Sequence, residues 1–217
     1  ASKPSLGFHL MRARMQVHHA ETPQRAAAVF RDSLEGEPLS READEYGLTL
    51  ALTDSGQPAA AQQVLDDLVS ERPERIEYLV AQAQLDMSIG EAQSAIRALD
   101  RELQLHPGNH ALTMEYARAM ILNDQAHIAE EVLVEQSHIK PGDPGLWYLL
   151  AEVQGLSGNI LGLHQSRAEY FILNGILDEA ERQLNYAMKL AKDDYHTSAK
   201  ISQRLQDIAE LRQRMKF

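Results

Sequence analysis

One spacing, 34 residues, recurs through this chain. Pro73, Pro107 and Pro141 repeat at that interval, and so do Ala27, Ala61, Ala95 and Ala129. Gly56 and Gly90 share it, and Asp124 and Gly158 continue their series. Several residue types in one register imply a repeated structural unit, and a period in this range marks stacked supersecondary units. The residue types predict what the unit is. Gly56, Gly90 and Gly158 suit the left-handed turn that ends a first helix, and Asp124 is a tolerable replacement there. The alanines sit early in a second helix, where a small side chain lets it approach its neighbour. Leu65, Leu99 and Leu133 follow four residues later on the same face. The prolines stop the second helix or start the next, because proline lacks the N–H of an interior helical position.

The period predicts twelve helices, over about 4–19, 22–36, 40–55, 58–70, 74–89, 92–105, 109–123, 126–138, 144–157, 160–173, 176–192 and 196–215. Thr22-Pro23 and Asp143-Pro144 each place a capping oxygen before a proline at the first helical position, and Ser40 caps the third helix. No segment alternates apolar and polar residues between turns, so no strand is predicted. The fold class is therefore all-α, an α-solenoid of about twelve antiparallel helices. It is expected as a single domain, 1–217, with regular repeats over about 8–143 and irregular ones with a capping helix over 144–217.

The irregularity has a definite form. After Gly158 the next glycine in the series, Gly175, follows at half the period. Helix 160–173 then serves twice, as second helix of one unit and first helix of the next. The first helix is weakened by Gly7 and the pair His18-His19. The last carries one apolar stripe, Ile201, Leu205, Ile208, Leu211 and Met215, and reads as a terminal cap.

Composition removes whole classes of chemistry. With no cysteine there is no disulfide framework, zinc–thiolate site or thiol nucleophile. A net charge of −11 and a pI near 5.2 argue against nucleic acid and anionic membranes. No apolar run approaches the roughly 20 residues of a membrane-spanning helix. The start, Ala1-Ser2-Lys3-Pro4, has neither an initiator Met nor a signal-peptide core, and reads as a cut or processed chain. There is no His-Glu-x-x-His, and the adjacent His18 and His19 diverge by about 100° on a helix. No Gly-x-Ser-x-Gly or phosphate loop is present. The acidic pairs Asp66-Asp67, Glu130-Glu131 and Asp193-Asp194 read as solvated. No catalytic, cofactor-binding or metal site is expected in this chain.

Surface remains. The unit 42–75, with its small, large, Gly, Ala, Leu, Pro order, resembles the tetratricopeptide repeat. The fourth unit fits best, with Trp147, Leu150, Ala151 and Gly158, whereas Glu45 and Thr113 stand where that family commonly has Trp. In the family register the first helix of each pair lines an inner wall. The wall residues expected here include Tyr46, Leu50, Val80, Gln84, Met87, Met114, Arg118, Ile121, Tyr148 and Glu152. Tyr46, Gln84, Met114, Arg118, Tyr148 and Glu152 are the candidate partner-binding set, with Tyr and Arg as the expected anchors. Packing of some of them against neighbouring helices is the competing reading.

The stretch from Trp147-Tyr148-Leu149-Leu150-Ala151-Glu152 through His164-Gln165-Ser166-Arg167-Ala168-Glu169-Tyr170 to Asn174-Gly175-Ile176-Leu177-Asp178-Glu179-Ala180 is more distinctive. With the ending Arg204-Leu205, Ile208, Leu211-Arg212 and Met215-Lys216-Phe217, it resembles the C-terminal repeat region of the periplasmic beta-barrel-assembly-enhancing proteases of Gram-negative bacteria. The resemblance is sharp from about 144 onward. It implies a zinc metalloprotease domain upstream, with zinc held there and not here. It implies periplasmic localisation, packing on that protease domain in cis, and engagement of outer-membrane barrel proteins and their assembly machinery. It also implies presentation of failed substrates for degradation. A stand-alone cytoplasmic adaptor binding a peptide or protein tail is the alternative; an enzyme in its own right is the third possibility.

Overall fold

The turn chemistry sets the frame. In the computed structural model, which describes residues 4–214, Gly56, Gly90 and Gly158 have φ of +73°, +84° and +81°, the left-handed values expected where a first helix stops. Asp124 holds the same register with φ 57°, alone among the described non-glycine residues in having positive φ. Gly175, the half-period residue, has φ +73°. Pro73, Pro107 and Pro141 each lie two residues past a helix end, at Glu71, Leu105 and Ile139.

Twelve helices fill the described residues, and no strand occurs among them. They are α1 (Leu6–His18), α2 (Pro23–Glu35), α3 (Arg41–Asp54), α4 (Pro58–Glu71), α5 (Ile76–Ser88), α6 (Ala92–Leu105), α7 (His110–Leu122), α8 (Ala126–Ile139), α9 (Pro144–Ser157), α10 (Ile160–Leu173), α11 (Leu177–Leu190) and α12 (Tyr195–Arg214). Their ends fall within two residues of the sequence-based expectation. Thr22, Ser40 and Asp143 cap as expected, accepting from the amides of Arg25, Ala43 and Gly145, and Ser5, Asn109 and Asn159 do the same for α1, α7 and α10. No described helix is long and apolar enough to cross a membrane.

The helices group into two compact units, Ala1–Asn123 and Asp124–Phe217. In the first, consecutive helices pack, and the odd-numbered helices also pack on one another, α1 on α3, α3 on α5 and α5 on α7. That double contact is how a stacked helix pair shares its core with the next. Helix α3 lies at the centre, with both flanks and both faces covered; its residues from Ala43 to Thr53 are buried save Glu45. The register alanines Ala27, Ala61 and Ala95 are buried, as are Leu65 and Leu99. Helix α1 departs from the pattern. It packs on α3 but scarcely touches α2.

In the second unit the contacts run in chain order, α8 on α9, α9 on α10, α10 on α11 and α11 on α12. Helix α10 packs on both α9 and α11. Ile201 and Ile208 of α12 are buried, with Leu205 and Leu211 packed against the same cluster. Met215, the last member of that stripe, lies outside the described residues, as do Lys216, Phe217 and Ala1 to Lys3. A charged fork fixes the cap. Arg204 donates from Nε and Nη2 to the two carboxylate oxygens of Glu169 at 2.7 and 2.6 Å. This bidentate geometry holds the guanidinium firmly protonated, its pKa raised chiefly by the Glu169 hydrogen bonds.

Asp124 supplies the first test. An L-residue in the left-handed region is strained by about 1–2 kcal/mol, and glycine relieves that at the cost of unfolded-chain entropy. Asp124→Gly is expected to stabilise the fold by about 0.5–1 kcal/mol, read as a raised urea midpoint. A lowered midpoint would mean that the carboxylate's attraction to the nearby start of α8 outweighs the strain.

Candidate partner-binding surfaces

The first unit's candidates begin with a tyrosine that is structural. Tyr46 is 1% exposed. Its hydroxyl accepts from Nε and Nη2 of Arg14 on α1 at 3.0 and 2.7 Å, and its ring meets Tyr78 at 5.9 Å. Burial pushes the phenol pKa up, and the Arg14 charge opposes that shift. The expectation of a partner anchor is corrected here: α1 covers this part of α3 and takes up the hydroxyl. Met114 is buried as well, and so are Leu50 and Val80 of the wider wall.

Further along, the wall is polar and tied together. Gln84 on α5, partly exposed, donates from Nε2 to Glu115 Oε1 at 2.9 Å. Arg118, one turn on from Glu115 along α7, donates to the same oxygen at 2.9 Å. Glu115 is 4% exposed and its Oε2 has no hydrogen-bond partner among the described residues. Arg118 itself stays half-exposed, with the rest of its fork available. The structure thus brings Gln84 and Arg118 together through Glu115, which sequence reasoning did not single out. One acid among 32 carries no signal, unless its place between the buried Met114 and the wall residue Arg118 is considered.

The second unit presents its candidates openly. Tyr148 on α9 is 62% exposed, and Glu152, one turn on, is also exposed. Tyr148 stacks obliquely on Tyr170 of α10 at 5.6 Å, and Tyr170 meets Phe171 edge-on at 5.4 Å. Trp147 beside them is structural: its Nε1 donates to the Pro141 carbonyl at 2.8 Å, tying α9 to the proline turn before it. The acidic pairs include two workers. Glu130 accepts from Ser157 and Asn159, both at 2.5 Å, and Asp194 caps α12 through Thr197. Among the described residues, no three His, Cys, Asp or Glu side chains are grouped to hold a metal ion. His18 and His19 lie 5.0 Å apart, ring edge to ring face.

Each unit offers its own surface to a protein partner: charged hydrogen bonds at Arg118 in the first, and aromatic area with a carboxylate at Tyr148 and Glu152 in the second. Residues 88–153 match the tetratricopeptide repeat family. The chain is 24% identical over 212 residues to the beta-barrel assembly-enhancing protease of Escherichia coli K12, covering 96% of this chain and 43% of that protein. It is 27% identical to a putative beta-barrel assembly-enhancing protease of Vibrio cholerae, covering 97% of this chain and 44% of that one. The chain therefore spans less than half the length of these curated relatives. Among solved structures, PilW, a type IV pilus biogenesis factor, superposes with a TM-score of 0.60 at 17% identity, over 93% of this chain and 92% of that one. Residues 88–153 are thus of tetratricopeptide-repeat type, and the chain has an all-α, tetratricopeptide-repeat-like solenoid fold.

Proposed function

We propose that this chain is the noncatalytic interaction module of a periplasmic zinc metalloprotease, recruiting outer-membrane barrel clients and their assembly machinery. The observation that carries the reading is the similarity to beta-barrel assembly-enhancing proteases along 96% of the chain. A match confined to one repeat would support only the fold; one that runs through the half-period step at Gly175 and the capping helix supports shared organisation. On this reading zinc and proteolysis belong to an upstream domain, and partners meet Arg118 with Gln84 in the first unit and Tyr148 with Glu152 in the second.

Two measurements test it. Tyr148→Ala and Arg118→Glu are expected to weaken site-specific crosslinking to barrel or assembly partners severalfold, without changing the helical circular dichroism. Unchanged crosslinking would move the site off these residues. The gene upstream of Ala1 is expected to encode a secretion signal and a His-Glu-x-x-His helix. Their absence would favour a stand-alone adaptor, and metal-dependent casein cleavage by the 217-residue chain itself would overturn the noncatalytic reading.

A further inference from the structure

Helix α1 carries two apolar faces and uses one. Leu10 and Ala13 are buried within the first unit's core, with Leu6 and Val17 packed beside them. On the opposite side, Phe8, Met11 and Met15 are 54%, 67% and 47% exposed. Their spacing places them on one stripe about two turns long. Because α1 scarcely touches α2, the space where a regular pair would close stays open. It is a pocket of about 410 Å³, lined by Ala26, Val29 and Phe30 of α2, by Gln16, His19 and Ala20, and by the ion-paired Glu21 and Arg25, whose charges offset one another.

The charge of this helix is as distinctive as its shape. In a chain with 32 acids, α1 alone of the twelve helices has no Asp or Glu. Arg12 is only partly exposed, yet it makes no ion pair or hydrogen bond among the described residues, and its Nε is buried without a partner. Arg31, Arg97, Arg101 and Arg167 also form no ion pair there, but they are exposed. One turn before Arg12, His9 Nδ1 is likewise buried without a partner. A guanidinium with its Nε buried and no acceptor is costly, and its planar fork matches a carboxylate.

We propose that the outer face of α1 and the adjoining pocket dock an acidic amphipathic helix of a separate protein. The partner's apolar side chains cover Phe8, Met11 and Met15, one of them enters the pocket, and a flanking carboxylate meets Arg12. A stripe read at three- and four-residue spacing is met by a helix of the same periodicity. An anionic bilayer fits less well: the net charge of −11 opposes its approach, and a recessed pocket takes a protruding side chain. A symmetric second copy fits less well too, because it would bring a second acid-free helix with its own Arg12 to this face.

The test uses two synthetic helical peptides of about 20 residues. Both carry Leu at i, i+3, i+4 and i+7; one is flanked by Glu and the other by Lys. Binding to the 217-residue chain is read by fluorescence anisotropy. The Glu peptide is expected to bind saturably and the Lys peptide not. Arg12→Glu should weaken the Glu peptide by about tenfold or more and gain the Lys peptide. Met11→Asp with Met15→Asp should abolish binding with the circular dichroism unchanged, since both side chains are exposed. Absence of saturable binding, or equal affinity in Arg12→Glu, overturns the proposal. So does binding to phosphatidylglycerol vesicles in place of the peptide, or dimerisation in sedimentation that Met11→Asp abolishes. The surface is independent of the wall proposed above: Arg118→Glu should leave peptide binding unchanged, so either reading can fail alone.

Discussion

Gly47→Ala is expected to destabilise the chain by about 1–3 kcal/mol, although alanine is the better helix former by about 1 kcal/mol. Gly47 lies mid-helix in α3, where the backbone has no need of glycine's freedom. The reason is contact. A Cβ built there would stand 2.4, 2.5 and 2.8 Å from Cζ, Cε1 and Cε2 of Phe30. The phenyl tip of α2 rests on the glycine, and Phe30 is buried at 2% exposure. The methyl must therefore displace the ring or part α2 from α3. A double-mutant cycle separates this from any general weakness of α3. Phe30→Leu alone should be destabilising through the lost ring. In the Gly47→Ala background it should cost less, with a coupling of about 1 kcal/mol or more. Urea unfolding followed by circular dichroism gives all four corners. Additive losses, or a more stable Gly47→Ala, would mean that the ring is not wedged there.

The repeat was legible because it is written in backbone chemistry. Glycine at positive φ, proline past a helix end and alanine at a close approach each have few substitutes, so their positions survive as a period. Even Asp124 was readable by register alone. Side-chain partnerships have no such signature. Nothing local to Tyr46 says that Arg14, 32 residues earlier, takes up its hydroxyl. The family register places Tyr46 on an inner wall, and it becomes interior because α1 lies across α3. Tyr148, at the equivalent register position 102 residues later, is open to solvent. The pairing of Gln84 with Arg118 needed Glu115 between them, and one acid in a strongly acidic chain is hidden by its own abundance. The weakness of the first helix was visible in Gly7 and the His18-His19 pair. Its consequence, a gap beside α2 and a second apolar face, required the three-dimensional packing.

Ala95→Leu probes the other part of the unit, the contact face of a second helix. Ala95 is fully buried, as are Ala61 and Ala129 in the same register. Helix α6 packs between α5 and α7, and a residue with no exposed surface in that position sets how closely the helices approach. Adding three carbons to a close-packed interior forces off-rotamer side chains or a backbone shift. The expected loss is about 1–3 kcal/mol, and it should be specific to the register. Gln93→Leu, two positions earlier on an exposed side of the same helix, should change stability by less than about 0.5 kcal/mol beyond the loss of one hydrogen bond to Asn123. A neutral melt for Ala95→Leu would mean that α6 can retreat from its neighbours at no cost. The alanine period would then record ancestry and helix propensity, and close packing would have to be sought at Leu99, one turn along.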